Sequence, residues 1–293
     1  MFSLLETLES RLLAACVTPG HPGHPCYVAA QAHFSAGGAR IRAQICLEAG
    51  LRLGLTPEDT LQLAVLCELL HNSSLIQDDL LDRTQMRRGK ASVWMAFGET
   101  IAVCLSDLML SGAYASLGYL SATAVIPAAL ALVHERTRDV ILGQAVENLE
   151  DDSCQGTLAL YKERARGKSS SLLSLPLELP LLISGNAGAM QDAREAAGRF
   201  AIAYQISDDL EDLEQDEARG SLNAVLMLES RQGLSRGQAT STAAEHALQL
   251  LEQSNDYAAK LPFDCAAVMA SSARKLAGRL SVSQRAPLAL AGD

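Results

Sequence analysis

The 293-residue chain carries 24 Lys and Arg against 34 Asp and Glu, a formal charge of -10, with 48% hydrophobic but only 4% aromatic residues. That acidity excludes a nucleic-acid-binding surface, which needs clustered basic residues, and abundant Ala and Leu favour closely packed helices. The seven scattered cysteines form no CxxC pair, so free thiols in a reducing cytoplasm are the plain reading.

Helical periodicity dominates, and no segment alternates cleanly with the period of a half-buried strand. A first helix is predicted over about 3–17. It carries Glu6 and Glu9 at helical spacing and no basic stretch ahead of an apolar run, so no signal peptide is expected. After a break near 18–25, a helix is predicted over about 38–53. Thr56-Pro57-Glu58-Asp59 then reads as an N-cap, a first-position proline and an acidic first turn. The apolar pattern behind it (Leu61, Val65, Leu66, Leu69, Leu70, Leu75, Ile76) runs to about Asp82. Further helices are expected over about 94–120, 123–151, 158–184, 189–215, 235–253 and 256–278. Breaks near 54–57, 185–188 and 233–237 are too short to be interdomain linkers. The expectation is therefore all-α, a single domain over residues 1–293, with about the last 15 as a flexible tail. The apolar runs Ala122–Val133 and Leu172–Ile183 are too short or interrupted for a bilayer, so no transmembrane segment is expected.

One acidic pattern occurs twice. Asp78-Asp79-Leu80-Leu81-Asp82 closes the fourth helical stretch, and Asp208-Asp209-Leu210-Glu211-Asp212 falls late in the stretch beginning near 189. In each, the first and last aspartates are four apart and stack on one helix face. Carboxylates so placed repel, which calls for a cation between them, and hard divalent ions take oxygen ligands. A single run of this kind is as easily a solvated acidic face. Each of these two follows an apolar run on its own helix, which puts the aspartates where a buried helix emerges.

At this point the chain resembles the trans-polyprenyl (isoprenyl) diphosphate synthase family. The first motif extends through Arg83-Thr84-Gln85-Met86-Arg87-Arg88-Gly89, similar to DDxxDxxxxRRG, with His71 seven residues upstream. Gly37-Gly38-Ala39-Arg40-Ile41-Arg42 looks like GGKRxR, and Tyr204-Gln205-Ile206-Ser207-Asp208-Asp209 like FQxxDD. Phe97-Gly98, Ser106-Asp107-Leu108-Met109-Leu110, Gly143-Gln144 and Lys168-Ser169 stand in order where the family carries FG, GDxLL, GQ and Lys-Thr.

The resemblance implies an antiparallel helical bundle around a deep apolar cavity, a cytoplasmic homodimer and a prenyltransferase that condenses an allylic prenyl diphosphate with isopentenyl diphosphate. It implies about three Mg2+ ions, with Asp78, Asp79, Asp82, Asp208, Asp209 and Asp212 as the metal set. Arg87, Lys168 and Gln205 would donate to the departing diphosphate. Gly38, Arg42, His71 and Arg88, with Ser169, would complete the substrate contacts. Small Ser73 and Ser74, about one turn below Asp78, imply products of geranylgeranyl length or longer.

Two departures accompany the match. Ala39 stands in the place of a lysine, and the segment after the second motif offers only Arg219 where one or two lysines are usual. The first favours an alternative, a terpene synthase-like lyase that ionises a prenyl diphosphate without isopentenyl diphosphate. A non-catalytic partner subunit is a further alternative, opposed by two intact acidic motifs.

Overall fold

The computed structural model describes residues 2–16, 23–147 and 171–285. Over these the chain is all-α, as predicted; among the described residues the extended backbone is a pairing of β1 (Met86–Arg87) with β2 (Lys90–Ala91). The chain divides into two compact units, Met1–His134 with Leu175–Ala187 and Glu135–Ser174 with Gly188–Asp293.

The first unit contains α1 (Phe2–Ala15), α2 (Pro25–Ser35), α3 (Ile41–Arg52), α4 (Pro57–Leu81), α5 (Val93–Phe97) and α6 (Glu99–Ser116). Its axis is α4, which starts as the sequence predicts: Thr56 Oγ1 accepts from the Asp59 N–H at 3.0 Å with Pro57 in the first turn. Leu61, Leu63, Leu66 and Leu69 are all fully buried, and a helix apolar on every side is a core helix. It packs against α3 and α6. The approach of α3 requires Gly50, since a Cβ there would lie 2.7 Å from the Thr60 side chain.

Two predictions need correction here. Residues 25–35 form a helix that the sequence reading left out: His24 caps it and Pro25 opens it. The helix expected over about 94–120 is broken at Gly98 (φ 87°), whose left-handed backbone separates α5 from α6. The span Glu99–Tyr119 is long and apolar enough, by length and composition, to cross a membrane. The sequence reading weighed shorter runs and passed over it. Its face carrying Ala102, Leu105, Met109 and Ala113 is buried, and the helix packs against α4.

Helices α7 (Ile126–Glu147) and α8 (Ser171–Ile183) follow. The second unit then carries α9 (Met190–Glu211), α10 (Leu213–Arg219), α11 (Ala224–Gln232), α12 (Arg236–Ala258) and α13 (Ala267–Arg285). Buried alanines on α9 (Ala193, Ala196, Ala197) and α12 (Ala243, Ala244, Ala247) allow these two helices to pack closely. The predicted break near 254 does not occur. Ser254 Oγ donates to the Ala196 carbonyl at 2.9 Å and α12 continues to Ala258; the chain turns later, where Phe263 and Asp264 both take φ of 54°. The expected helix over about 189–215 stops at Glu211, and α11 was missed although Asn223 caps its start and Gly233 its end.

Candidate active site

The first acidic motif is the C-terminal turn of α4. Asp82 is the C-cap, its N–H donating to the Asp78 carbonyl at 2.8 Å, and Asp78 is half-buried one turn earlier. Asp79 lies about 100° further round the helix and is 2% exposed. Its two oxygens accept from Arg87 Nε at 2.7 Å and Nη2 at 2.8 Å, a two-pronged ion pair. Asp79, expected among the metal ligands, is therefore the anchor of Arg87. Asp78 and Asp82 share the face left for an ion.

The turn after the motif carries Arg88 to the Gly37–Gly38 loop, where its Nη1 donates to the Gly37 carbonyl. Gly38 is required there on two counts: its φ is 150°, and a Cβ would lie 2.7 Å from Arg88 Nη1. Lys90 Nζ holds the same loop through the Ser35 carbonyl at 3.0 Å. His71 is packed close by. Burial first, and then the charges of Arg42, Arg88, Arg87 and His33, press its pKa well below the usual imidazole value, so it is neutral at pH 7. Gly38, Arg42, His71, Arg87 and Arg88 thus share one neighbourhood. Ala39 is exposed.

Arg40, the other arginine of the loop, serves a different purpose. It pairs with Glu9 of α1 at 2.7 and 3.1 Å, reaches Glu68 at 3.9 Å and lies over the Phe34 ring. Glu68, 2% exposed, accepts from the Ala43 N–H at 3.0 Å, and Asn72 Nδ2 donates to the Glu68 carbonyl at 2.7 Å. The sequence reading missed His33, which faces this chain from α2. Its signal was available: Cys26, Ala29, Ala30, His33 and Phe34 are the buried positions of one helix face.

The second motif closes α9 in the same register. Asp208 is half-buried, Asp209 is buried and Asp212 is the exposed C-cap. Asp209 accepts from Gln205 Nε2 at 2.9 Å and from the Ala224 N–H at 2.8 Å, while Asn223 Nδ2 donates to its carbonyl at 2.7 Å. Its carboxylate therefore caps α11 and holds Gln205, so neither residue stands open in the role expected of it. Asp208 is pushed up to about 7, first by burial and then by Glu211, Asp212 and Asp209, with Arg279 of α13 pulling the other way. Arg279, a second residue that motif reading missed, sits 3.7 Å from Glu211.

Ser73 is buried with its Oγ donating to the Ser106 carbonyl of α6 at 2.9 Å, and Ser74 Oγ bonds back to the His71 carbonyl at 2.8 Å. Lys168 and Ser169 lie outside the described residues. Among the described residues, no three His, Cys, Asp or Glu side chains converge to hold an ion by themselves. That suits magnesium, which keeps several waters and is commonly completed by substrate phosphates. A carboxyl lifted to about 7, first by burial and then by its acidic neighbours, fits the same ion, since a cation there would relieve the repulsion.

Comparison with known proteins bears on this arrangement. A farnesyl diphosphate synthase of Mycobacterium tuberculosis is 34% identical over 174 residues, 59% of this chain and 48% of that one. The chain thus spans about half the length of that relative. A farnesyl diphosphate synthase of Geobacillus stearothermophilus is 30% identical over 195 residues, 64% of this chain and 65% of that one. Among solved structures, the geranylgeranyl pyrophosphate synthetase of Geoglobus acetivorans superposes with a TM-score of 0.82 at 21% identity, covering 93% of this chain and 97% of that one. At such identity the likeness speaks for the fold alone. Residues 24–222 match the family described as polyprenyl synthetase, and the chain belongs to that family.

Proposed function

We propose that the chain is a trans-prenyltransferase that condenses an allylic prenyl diphosphate with isopentenyl diphosphate. The observation that carries this reading is the grouping of Arg42, Arg87 and Arg88 around a neutral His71, seven residues before the acidic end of α4. Seven residues is about 10 Å along a helix. Arg42, Arg88 and His71 hold isopentenyl diphosphate. Arg87, fixed by Asp79, presents a guanidinium to the allylic diphosphate without having to be ordered on binding. Asp78 and Asp82, and separately Asp208 and Asp212, are the carboxylates that would hold magnesium, about three ions in all. When bound there, magnesium would supply Lewis-acid neutralisation of the charge on the leaving diphosphate.

The reading extends to a cytoplasmic location and to a homodimer, for which the exposed Val103 and Leu108 of α6 offer apolar surface. It also extends to products of geranylgeranyl length or longer. Ser73, buried against the α6 backbone, and Ser74, half-buried one residue on, are the small residues offered for length control. Ser74→Phe should shorten the main product by about one isoprene unit; an unchanged distribution would remove Ser74 from the length-setting wall.

The test of the activity is incubation of purified protein with magnesium, labelled isopentenyl diphosphate and each allylic primer in turn, with products resolved by chain length. Label in a longer prenyl diphosphate is the expected result. No incorporation from any primer would overturn the proposal, and cyclised product without incorporation would establish the lyase. The exposed Ala39, which brings no charge to the loop beside Arg42, is the feature that favours the lyase.

A further inference from the structure

A small recess, open to solvent, has walls from α2, the end of α4, the turn joining β1 and β2, and α5. His33, Asp79, Arg87, Arg88 and Ser92 are its polar lining residues, Asp79 being already paired with Arg87, and Val93 and Phe97 contribute apolar surface. Two of these polar groups play no part in the site as described so far. Ser92 occupies the N-cap position of α5, yet its side chain makes no capping bond. It is 3% exposed, and its Oγ is buried without a hydrogen-bond partner. A buried hydroxyl left unpaired is destabilising, and in the wall of a recess it points to a ligand oxygen.

His33, 8% exposed, has a tautomer fixed by its partner. Asn72 commits its amide nitrogen to the Glu68 carbonyl, so the oxygen that lies 2.9 Å from His33 Nε2 must accept. The imidazole proton is therefore on Nε2, which leaves Nδ1 for a ligand. Burial first, then the charges of Arg88 and Arg87, hold His33 down to about 4 against the pull of the Asn72 bond. The ring is thus a neutral acceptor at pH 7.

We propose that this recess is a subsite for the terminal phosphate of a diphosphate, with His33 Nδ1 and Ser92 Oγ as binding groups beside Arg88. A neutral imidazole nitrogen accepts, so its match is the P–OH of a singly protonated terminal phosphate. Ser92 donates to a second oxygen, and Arg88 supplies the opposite charge. The proposal rests on the reading that Arg42, His71 and Arg88 hold isopentenyl diphosphate, and adds His33 and Ser92 to that substrate's recognition.

The test is calorimetric titration of the full chain in chelator, which keeps metal-bound diphosphate out of the measurement. Inorganic diphosphate is titrated in one arm and isopentenyl diphosphate in the other. Ser92→Ala removes a hydroxyl that has no partner, so melting temperature should hold or rise slightly. His33→Gln places an amide nitrogen near the old Nε2, keeping a donor for Asn72 while deleting the Nδ1 acceptor. Each variant should bind both ligands about 5–10-fold more weakly, the equivalent of one lost hydrogen bond. Affinities equal to the unaltered chain in both variants would overturn the subsite. Weakening for inorganic diphosphate alone would also overturn it, because the prenyl substrate would then sit elsewhere. If His33→Gln unfolds, Ser92→Ala decides by itself. A chain that shows these losses but incorporates no isopentenyl diphosphate would refute the prenyltransferase reading and leave the phosphate subsite standing.

Discussion

The two acidic motifs have the same spacing, the same helix-end position and the same order of exposure, but their buried carboxylates are compensated differently. Asp79 meets a full positive charge, the fork of Arg87. Asp209 meets two neutral dipoles, the Gln205 amide and the first N–H of α11. The first motif thus has cations within its own unit, with Arg42 and Arg88 near Arg87. In the second, Asp208 is crowded by Glu211, Asp212 and Asp209, with Arg279 the cation that acts on it among the described residues. Identical sequence patterns therefore carry different electrostatic deficits, and the second motif has more to gain from an added ion.

Substitutions on the shared face should have the largest effect. Asp78→Ala and Asp208→Ala should each lower turnover by about three orders of magnitude or more at saturating magnesium. Near-normal turnover in Asp208→Ala would mean the second motif plays no part in holding the ion. Stability separates the motifs next. Arg87→Met strands the buried Asp79 charge and should cost about 3–5 kcal/mol by urea denaturation. Gln205→Met leaves Asp209 its backbone donor and should cost about 1–2 kcal/mol. Equal costs would erase the distinction between charge and dipole compensation.

A gentler probe is pH. Asp208 has a folded pKa raised from 3.8 to about 7, so the stability it contributes is fully present below about pH 4. That contribution is lost as pH rises through about 7. In chelator, the melting temperature of the unaltered chain should therefore fall relative to Asp208→Asn across that window, and magnesium should recover the difference near neutral pH. Parallel curves for the two proteins would show that Asp208 titrates normally. Smallest of all is Glu214→Ala on exposed α10, which should leave turnover and stability within experimental scatter.

Much of this contrast lay beyond motif reading. Spacing shows that Asp78 and Asp82 share a face, and likewise Asp208 and Asp212, because helical geometry is local. It does not show which partner a buried aspartate meets: Arg87 lies eight residues away through a turn, and Ala224 fifteen residues away through a further helix. The core helix α4 was legible from its cap, proline and apolar run. Its neighbour α2 was passed over although Pro25 and a regular buried face signalled it, because small residues and a histidine make a faint stripe. His33 was lost with it. Arg279 has no motif at all; only the packing of α13 brings it toward Glu211.

Glu9, Arg40, Glu68, Asn72 and His33 form a relay of contacts from the first helix to the wall of the phosphate recess. Removing the Glu9 carboxylate would leave Arg40 held by Glu68 and the Phe34 ring, and any shift of Glu68 would be handed through Asn72 to the imidazole. The first helix, far from any motif, thus acts as a tuning peg: one carboxylate on it sets how firmly a histidine some two dozen residues downstream is held.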